Sequence, residues 1–150
     1  MNEMTSPYRS FEELRKREVE GRDYRIRVNL KHSPVLIMAP HGGNIEPMTA
    51  EIAEAIAGDN YSFYSFEGLK IDGNIVFHIE SHLFDEPLAW QAVKNADIVI
   101  TVHGQLNRKD AFVMIGGLHN GLGSEIIRQL EAAGFQTRPA GRGLEGVDPM

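Results

Sequence analysis

Two histidines of this chain stand directly after an apolar run and directly before a glycine, in Pro40-His41-Gly42 and Val102-His103-Gly104. A glycine in that place leaves room beside the imidazole and lets the backbone turn sharply. Glu46 follows His41 by five residues across Gly42-Gly43, close enough to fold back toward the ring. Two imidazoles and one carboxylate, with a fourth position open to water, are the ligand set of a catalytic rather than a structural zinc site. A single histidine in this setting is more often a satisfied turn residue than a metal ligand. The matched pair with a nearby glutamate is what favours a metal. With no cysteine in the chain, thiolate chemistry and disulfides are excluded, and any metal must be held by His, Asp or Glu.

The other histidines carry less. His78 and His82 fall in or beside Ile75 to Ile79, an apolar run that reads as a strand. Residues four apart on a strand share a face but lie about 13 Å apart, too far for one metal. His82, near the end of that strand, could still line the crevice. His119 follows Gly116-Gly117 and either approaches the site or caps its loop, while His32 reads as a solvated loop residue. Asp85-Glu86 before Pro87 reads as the acidic pair of a helix start. The glycine-rich stretch 116–123 matches neither a dinucleotide fingerprint nor a P-loop, so it reads as a strand-to-helix turn.

Several elements must position these groups. Ser10-Phe11-Glu12-Glu13 opens a short helix as a capping box. Tyr24 to Leu30 alternates apolar and polar residues, which predicts a half-buried strand. Val35 to Ala39, Ile98 to Val102 and Phe112 to Ile115 are continuous apolar runs and predict strands covered on both faces. Tyr61 to Phe66 predicts another strand, with a polar turn region from Glu67 to Asn74. Met48, Ile52, Ala53, Ile56 and Ala57 share one helical face, Pro87 starts a helix reaching about Asn95, and Leu122 to Leu130 lines a last helix. Buried strands alternating with helices predict a single α/β domain over residues 1–150, with a mixed or mostly parallel sheet flanked by helices. In such sheets ligands gather where strands end, which is where His41 and His103 fall.

The composition fits that fold. The chain has 150 residues, 42% hydrophobic and 24% charged, enough for a core without metal or disulfide staples. Its apolar runs are strand-sized, so no membrane span is expected. The polar N-terminus lacks the apolar core of a signal peptide, which predicts a cytoplasmic product. A net charge of −6 argues against a nucleic-acid partner. The acidic excess is confined to residues 32–100, with ten Asp/Glu against two Lys/Arg. A polyanionic substrate would therefore approach from a flanking third. Oligomeric state is not legible.

The stretch Ala39-Pro40-His41-Gly42-Gly43-Asn44-Ile45-Glu46-Pro47, with Thr49 and Glu51-Ile52-Ala53, resembles the signature of the phage and bacillar poly-γ-glutamate hydrolases. Tyr64-Ser65-Phe66-Glu67-Gly68, Phe84-Asp85-Glu86-Pro87, Val102-His103-Gly104 and Ile115-Gly116-Gly117 extend the resemblance in order along the chain, from about Tyr8 to Pro149. The resemblance implies a zinc-dependent, carboxypeptidase-like α/β fold that hydrolyses γ-linked glutamyl amide bonds. It carries the family's zinc ligands onto His41, Glu46 and His103. Met48 stands where the Glu-Pro-Gly-Thr form of the motif has glycine.

Family members continue past the counterpart of Gly143 to Pro149 into an Asn-Arg-Gly loop and a strand bearing a glutamate, the expected general base. That glutamate would lie beyond Met150, so the sequence reads either as part of a longer one or as a C-terminally shortened family member, and these 150 residues by themselves are expected to bind zinc but hydrolyse weakly. Loss of a general base costs about 10²–10⁴-fold in rate. Glu80, Glu86 and Glu145 are the substitutes the sequence offers. A γ-glutamyl polymer also needs positive charge, for which Arg142, Arg138, Arg108 and Lys109 are the candidates. Arginine ranks above lysine because its planar fork grips a carboxylate bidentately. The alternatives are a zinc amidase or peptidase acting on short peptides or cell-wall stems, and a catalytically silent zinc-binding domain. A capsule polymer outside the cell would be reached after host lysis, which suits a bacteriophage-encoded enzyme.

Overall fold

A computed structural model describes residues 6–105 and 109–141. They fall into two compact units, one reaching Gln105 and one holding the described residues 109–141.

The first unit is organised around the apolar runs. β1 (Tyr24–Asn29), β2 (Val35–Gly43), β3 (Ser62–Gly68) and β4 (Ile98–Thr101) form one sheet in the order β1-β3-β2-β4. β2 runs parallel to both β3 and β4, and β1 is antiparallel to β3. The sheet is therefore mixed and mostly parallel, with helices on both faces. Side-chain alternation along a strand divides the core in two. Leu36, Met38, Tyr64 and Phe66 face one side, where they pack with Phe11 and Leu14 of α1 (Phe11–Leu14) and with Ala89 and Ala92 of α3 (Pro87–Lys94). Ile37, Ala39 and Phe63 face the other, against Ala50, Ala53 and Ala57 of α2 (Thr49–Ala57). Phe66 is the hub of an aromatic cluster, with Phe11, Tyr24, Phe77 and Phe84 within 6.2 Å of its ring centre.

The acidic pair before Pro87 serves both helices of the first face. Asp85 accepts the Phe11 N–H at the start of α1. Glu86 caps α3 through the Leu88 and Ala89 N–H groups and accepts the Tyr64 hydroxyl at 2.9 Å.

The second unit holds β5 (Val113–Ile115) and β6 (Thr137–Pro139), paired parallel, with α4 (Asn120–Ala132) between them in sequence. His119 caps α4, its Nδ1 accepting the Leu122 N–H at 3.1 Å. No helix among the described residues is long and apolar enough to cross a membrane.

Four expectations are corrected. The apolar run Ile75 to Ile79 is not a strand, because Asn74–Phe77 is a 3₁₀ turn entered from Gly73 in the left-handed region (φ 76). The inward face of α2 is the alanine stripe, and Ile52 and Ile56 stay 47% exposed; a helix lying this close to the sheet admits only small side chains beneath it. Ile98 to Thr101 is the last strand of its sheet among the described residues, and its side chains are half-buried or exposed. Glu67, expected in a turn, is a buried strand residue held by Ser65, Arg25 and Arg27.

Candidate metal centre

His41 owes its placement to an irregularity at the end of β2. The pairing with β3 shifts register between Ala39 and Gly42. Regular alternation would send residue 41 toward α2 with Ile37 and Ala39, whereas here its ring meets the Ile79 carbonyl. Bulges of this kind re-aim side chains at functional sites. Glycines make the close approach possible. A Cβ on Gly42 would lie 2.9 Å from Ala50 Cβ and from Glu67 Cγ, and one on Gly43 would lie 2.5 Å from the Gly68 carbonyl oxygen. The turn that follows brings Glu46 back over His41, with the Glu46 N–H donating to the His41 carbonyl at 2.9 Å.

His41 is 2% exposed. Its Nε2–H donates to the Ile79 carbonyl at 2.7 Å, which fixes Nδ1 as the unprotonated nitrogen. That Nδ1 is fully buried, has no hydrogen-bond partner, and lies 3.3 Å from Glu46 Oε1. A lone pair and a carboxylate oxygen therefore face each other inside the protein, an arrangement that a cation between them would relieve.

Three further groups close around the Glu46 carboxylate. His78 Nε2–H donates to Oε1 at 3.0 Å. His103 places Nδ1 3.5 Å from Oε2, and the Gly104 N–H donates to Oε2 at 2.7 Å. Burial opposes ionisation of Glu46, but the facing His103, His41 and His78 rings and the Gly104 amide outweigh it and hold the carboxyl well below its ordinary value. Burial pushes the His41 imidazole down, the Glu46 contact only partly offsetting it. For His78 the hydrogen bond to Glu46 wins over burial and raises it.

The sequence-predicted trio of His41, Glu46 and His103 is thus brought together, and the structure adds His78. By distance alone the tightest group is His41, Glu46 and His78, whose ligand atoms lie within 4.8 Å of one another. Ring orientation ranks them differently. His41 and His78 are stacked, 4.0 Å between centres and 22° from parallel, so their in-plane lone pairs run in separate planes. His41 and His103 are 5.1 Å apart and inclined at 60°, so they are not stacked, although His103 falls outside the group whose ligand atoms all lie within 4.8 Å of one another. A nitrogen and oxygen donor set without sulfur suits a divalent transition metal.

The remaining candidates lie elsewhere or outside the described residues. His82, on the 3₁₀ turn Ser81–Leu83, has its Nδ1 3.5 Å from Glu80. Arg138, in the second unit, lies 3.9 Å over the Phe112 ring and 3.1 Å from Asp110. Arg108 and Arg142 fall outside the described residues. The apolar surroundings of His78 match a strand and hide it in the sequence; the Gly73-Asn74 pair ahead of Ile75 is the available sign of a break.

The poly-gamma-glutamate hydrolase family profile matches residues 8–150. UPF0714 protein YndL of Bacillus subtilis (strain 168) is 41% identical over 128 residues, which is 85% of this chain and 50% of that protein. The chain thus spans about half the length of that relative. The solved structure of a bacteriophage poly-gamma-glutamate hydrolase superposes with a TM-score of 0.93 at 29% identity, covering 97% of this chain and 70% of that one. A zinc-free YndL structure superposes with a TM-score of 0.85 at 38% identity, covering 92% of this chain and 67% of that one. The chain belongs to the poly-γ-glutamate hydrolase family.

Proposed function

We propose that this chain binds zinc through His41, Glu46 and His103 and forms the metal-bearing part of a hydrolase that cleaves γ-glutamyl amide bonds. The observation that carries the reading is the buried, unpartnered Nδ1 of His41 facing Glu46 Oε1 at 3.3 Å. That YndL has been solved in a zinc-free form supports zinc as the metal.

Bound zinc would polarise the scissile carbonyl and lower the pKa of a bound water toward about 7. The chain's own residues arrange the site. The Ile79 carbonyl holds the His41 ring in the tautomer that offers Nδ1, and the Gly104 amide and His78 hold the Glu46 carboxylate. His78 belongs beside the carboxylate rather than in the trio, because its ring is stacked on His41.

The water proton needs an acceptor. Glu86 is committed to capping α3 and to Tyr64, so it does not serve. Glu80 is exposed and paired with His82, and Glu145 lies outside the described residues. For the substrate's carboxylates Arg138 stays the arginine candidate within the described residues; in the second unit its guanidinium stacks on Phe112 and contacts Asp110.

Incubation of the zinc-loaded protein with γ-linked and α-linked oligoglutamate tests the reading. Preferential γ-cleavage that a chelator abolishes is expected. Equal cleavage of both would make the protein a general peptidase instead. Failure to bind zinc at all would remove the basis of the proposal.

A further inference from the structure

The peptide group of Lys70 receives side-chain amides from two different segments. Asn44, in the turn between His41 and Glu46, donates Nδ2–H to the Lys70 carbonyl at 3.0 Å. Asn74, the first residue of the 3₁₀ turn that leads to His78, donates Nδ2–H to the same carbonyl at 2.7 Å and accepts the Lys70 N–H on Oδ1 at 3.1 Å. Resting on the metal-site reading above, we propose that this Asn44–Lys70–Asn74 joint positions the metal centre, by fixing the His41–Glu46 loop against the turn that supplies His78 and the Ile79 carbonyl.

Both partners have been given little choice of position. Asn74 is 6% exposed, and its Oδ1 lies 2.5 Å from where a Cβ on Gly68 would stand, so only glycine admits the clamp. The Asn44 N–H donates to the Gly68 carbonyl at 3.0 Å, which brings the two segments to the same end of β3. The Lys70 side chain reinforces the joint. Its ammonium lies 4.9 Å over the Phe77 ring of the same turn and 2.6 Å from Glu18.

The lever from joint to site is short. His78 follows Asn74 by four residues of tight turn, rising about 2 Å per residue, so a displacement of Asn74 reaches His78 and Ile79 with little room to relax. What is at stake is a pair of contacts, His78 to Glu46 at 3.0 Å and His41 to the Ile79 carbonyl at 2.7 Å. Groups that orient metal ligands in this way commonly change affinity about 10–100-fold when removed.

The test uses Asn44→Ala, Asn74→Ala and Asn74→Asp in the whole chain. Aspartate keeps the acceptor for the Lys70 N–H but loses the donor to its carbonyl. Two quantities are read: zinc affinity by chelator competition, and solvent exchange of the His41 Nε2–H resonance in the metal-free protein. All three variants are expected to bind zinc about 10–100-fold more weakly and to exchange that proton faster. A residue that merely staples a loop would lower the melting temperature and leave both readouts unchanged, and that result in the folded variants overturns the proposal. Should the buried Asn74 variants fail to fold, the exposed Asn44→Ala decides it alone by the same two readouts. If the unsubstituted protein binds no zinc, the metal reading falls, and the exchange measurement still decides whether the joint positions His41.

Discussion

His41 Nδ1 stands 3.3 Å from Glu46 Oε1 while the other nitrogen of the same ring is bonded to the Ile79 carbonyl. The ring cannot satisfy both neighbours by choosing a tautomer. It can do so by protonation, which burial disfavours, or by binding a cation. This conflict gives a folded, preoriented site a direct interest in a metal.

The first prediction concerns stability. A metal that binds only the folded chain stabilises it by mass action, by about 2.7 kcal/mol at a free concentration one hundred times its Kd. Zinc should therefore raise the melting temperature in a concentration-dependent way, and a chelator should reverse the rise. No shift at saturating zinc would contradict the site.

The metal-free protein should also carry a pH signature from His78. Its folded pKa is raised by the hydrogen bond to Glu46. The stabilisation is then fully present below the unfolded value of about 6.5 and is lost as pH rises through the higher folded value. His41, whose folded pKa is lowered by burial, acts in the opposite sense and below its unfolded value. Melting temperatures of metal-free wild type and His78→Ala should therefore converge as pH rises above neutrality. A constant difference across that range would show that the His78–Glu46 bond is not the cause.

Met48 is the one non-glycine residue with positive φ among the described residues, at 76°, and it is 60% exposed at the start of α2. Left-handed backbone costs a non-glycine residue about 1–3 kcal/mol, partly offset in a glycine variant by unfolded-chain entropy. Met48→Gly should stabilise the protein by about 1 kcal/mol on that basis, read as a higher denaturant midpoint with zinc affinity unchanged. A lower midpoint would argue that Met48 has a contact worth more than its strain.

Gly43→Ala should do the reverse. Its φ is 62° and the new Cβ would meet the Gly68 carbonyl oxygen at 2.5 Å, so strain and overlap add to a loss of about 3 kcal/mol. Because Gly43 lies between His41 and Glu46, zinc affinity should fall with stability. An alanine variant with wild-type midpoint would show that the β2–β3 contact has more freedom than the structure gives it.

Much of this was readable from residue order, for identifiable reasons. His41 and His103 each follow an apolar run and precede glycine, which marks both from residue order alone, although His41 lies within the last residues of β2 rather than in a turn beyond it. Glu46 was reachable through its short spacing. His78 was hidden because Ile75 to Ile79 has the composition of a strand, and only the clamp by Asn74 and the left-handed Gly73 turn it into a 3₁₀ segment. The phase of α2 is hidden in the sequence for a different reason. Size favours Ile52 and Ile56 as the buried face, but the distance between helix and sheet is set by Ala50, Ala53 and Ala57. Glu67 looked like a turn residue because its two arginine partners lie on β1, about forty positions earlier in the sequence.

Elemental analysis and zinc titration of the purified protein, alongside His41→Ala, His103→Ala and His78→Ala, test the central claim most directly. The account predicts one zinc per chain in the wild type, loss of it in His41→Ala and His103→Ala, and weakened but detectable binding in His78→Ala. Unchanged metal content in His41→Ala would contradict it.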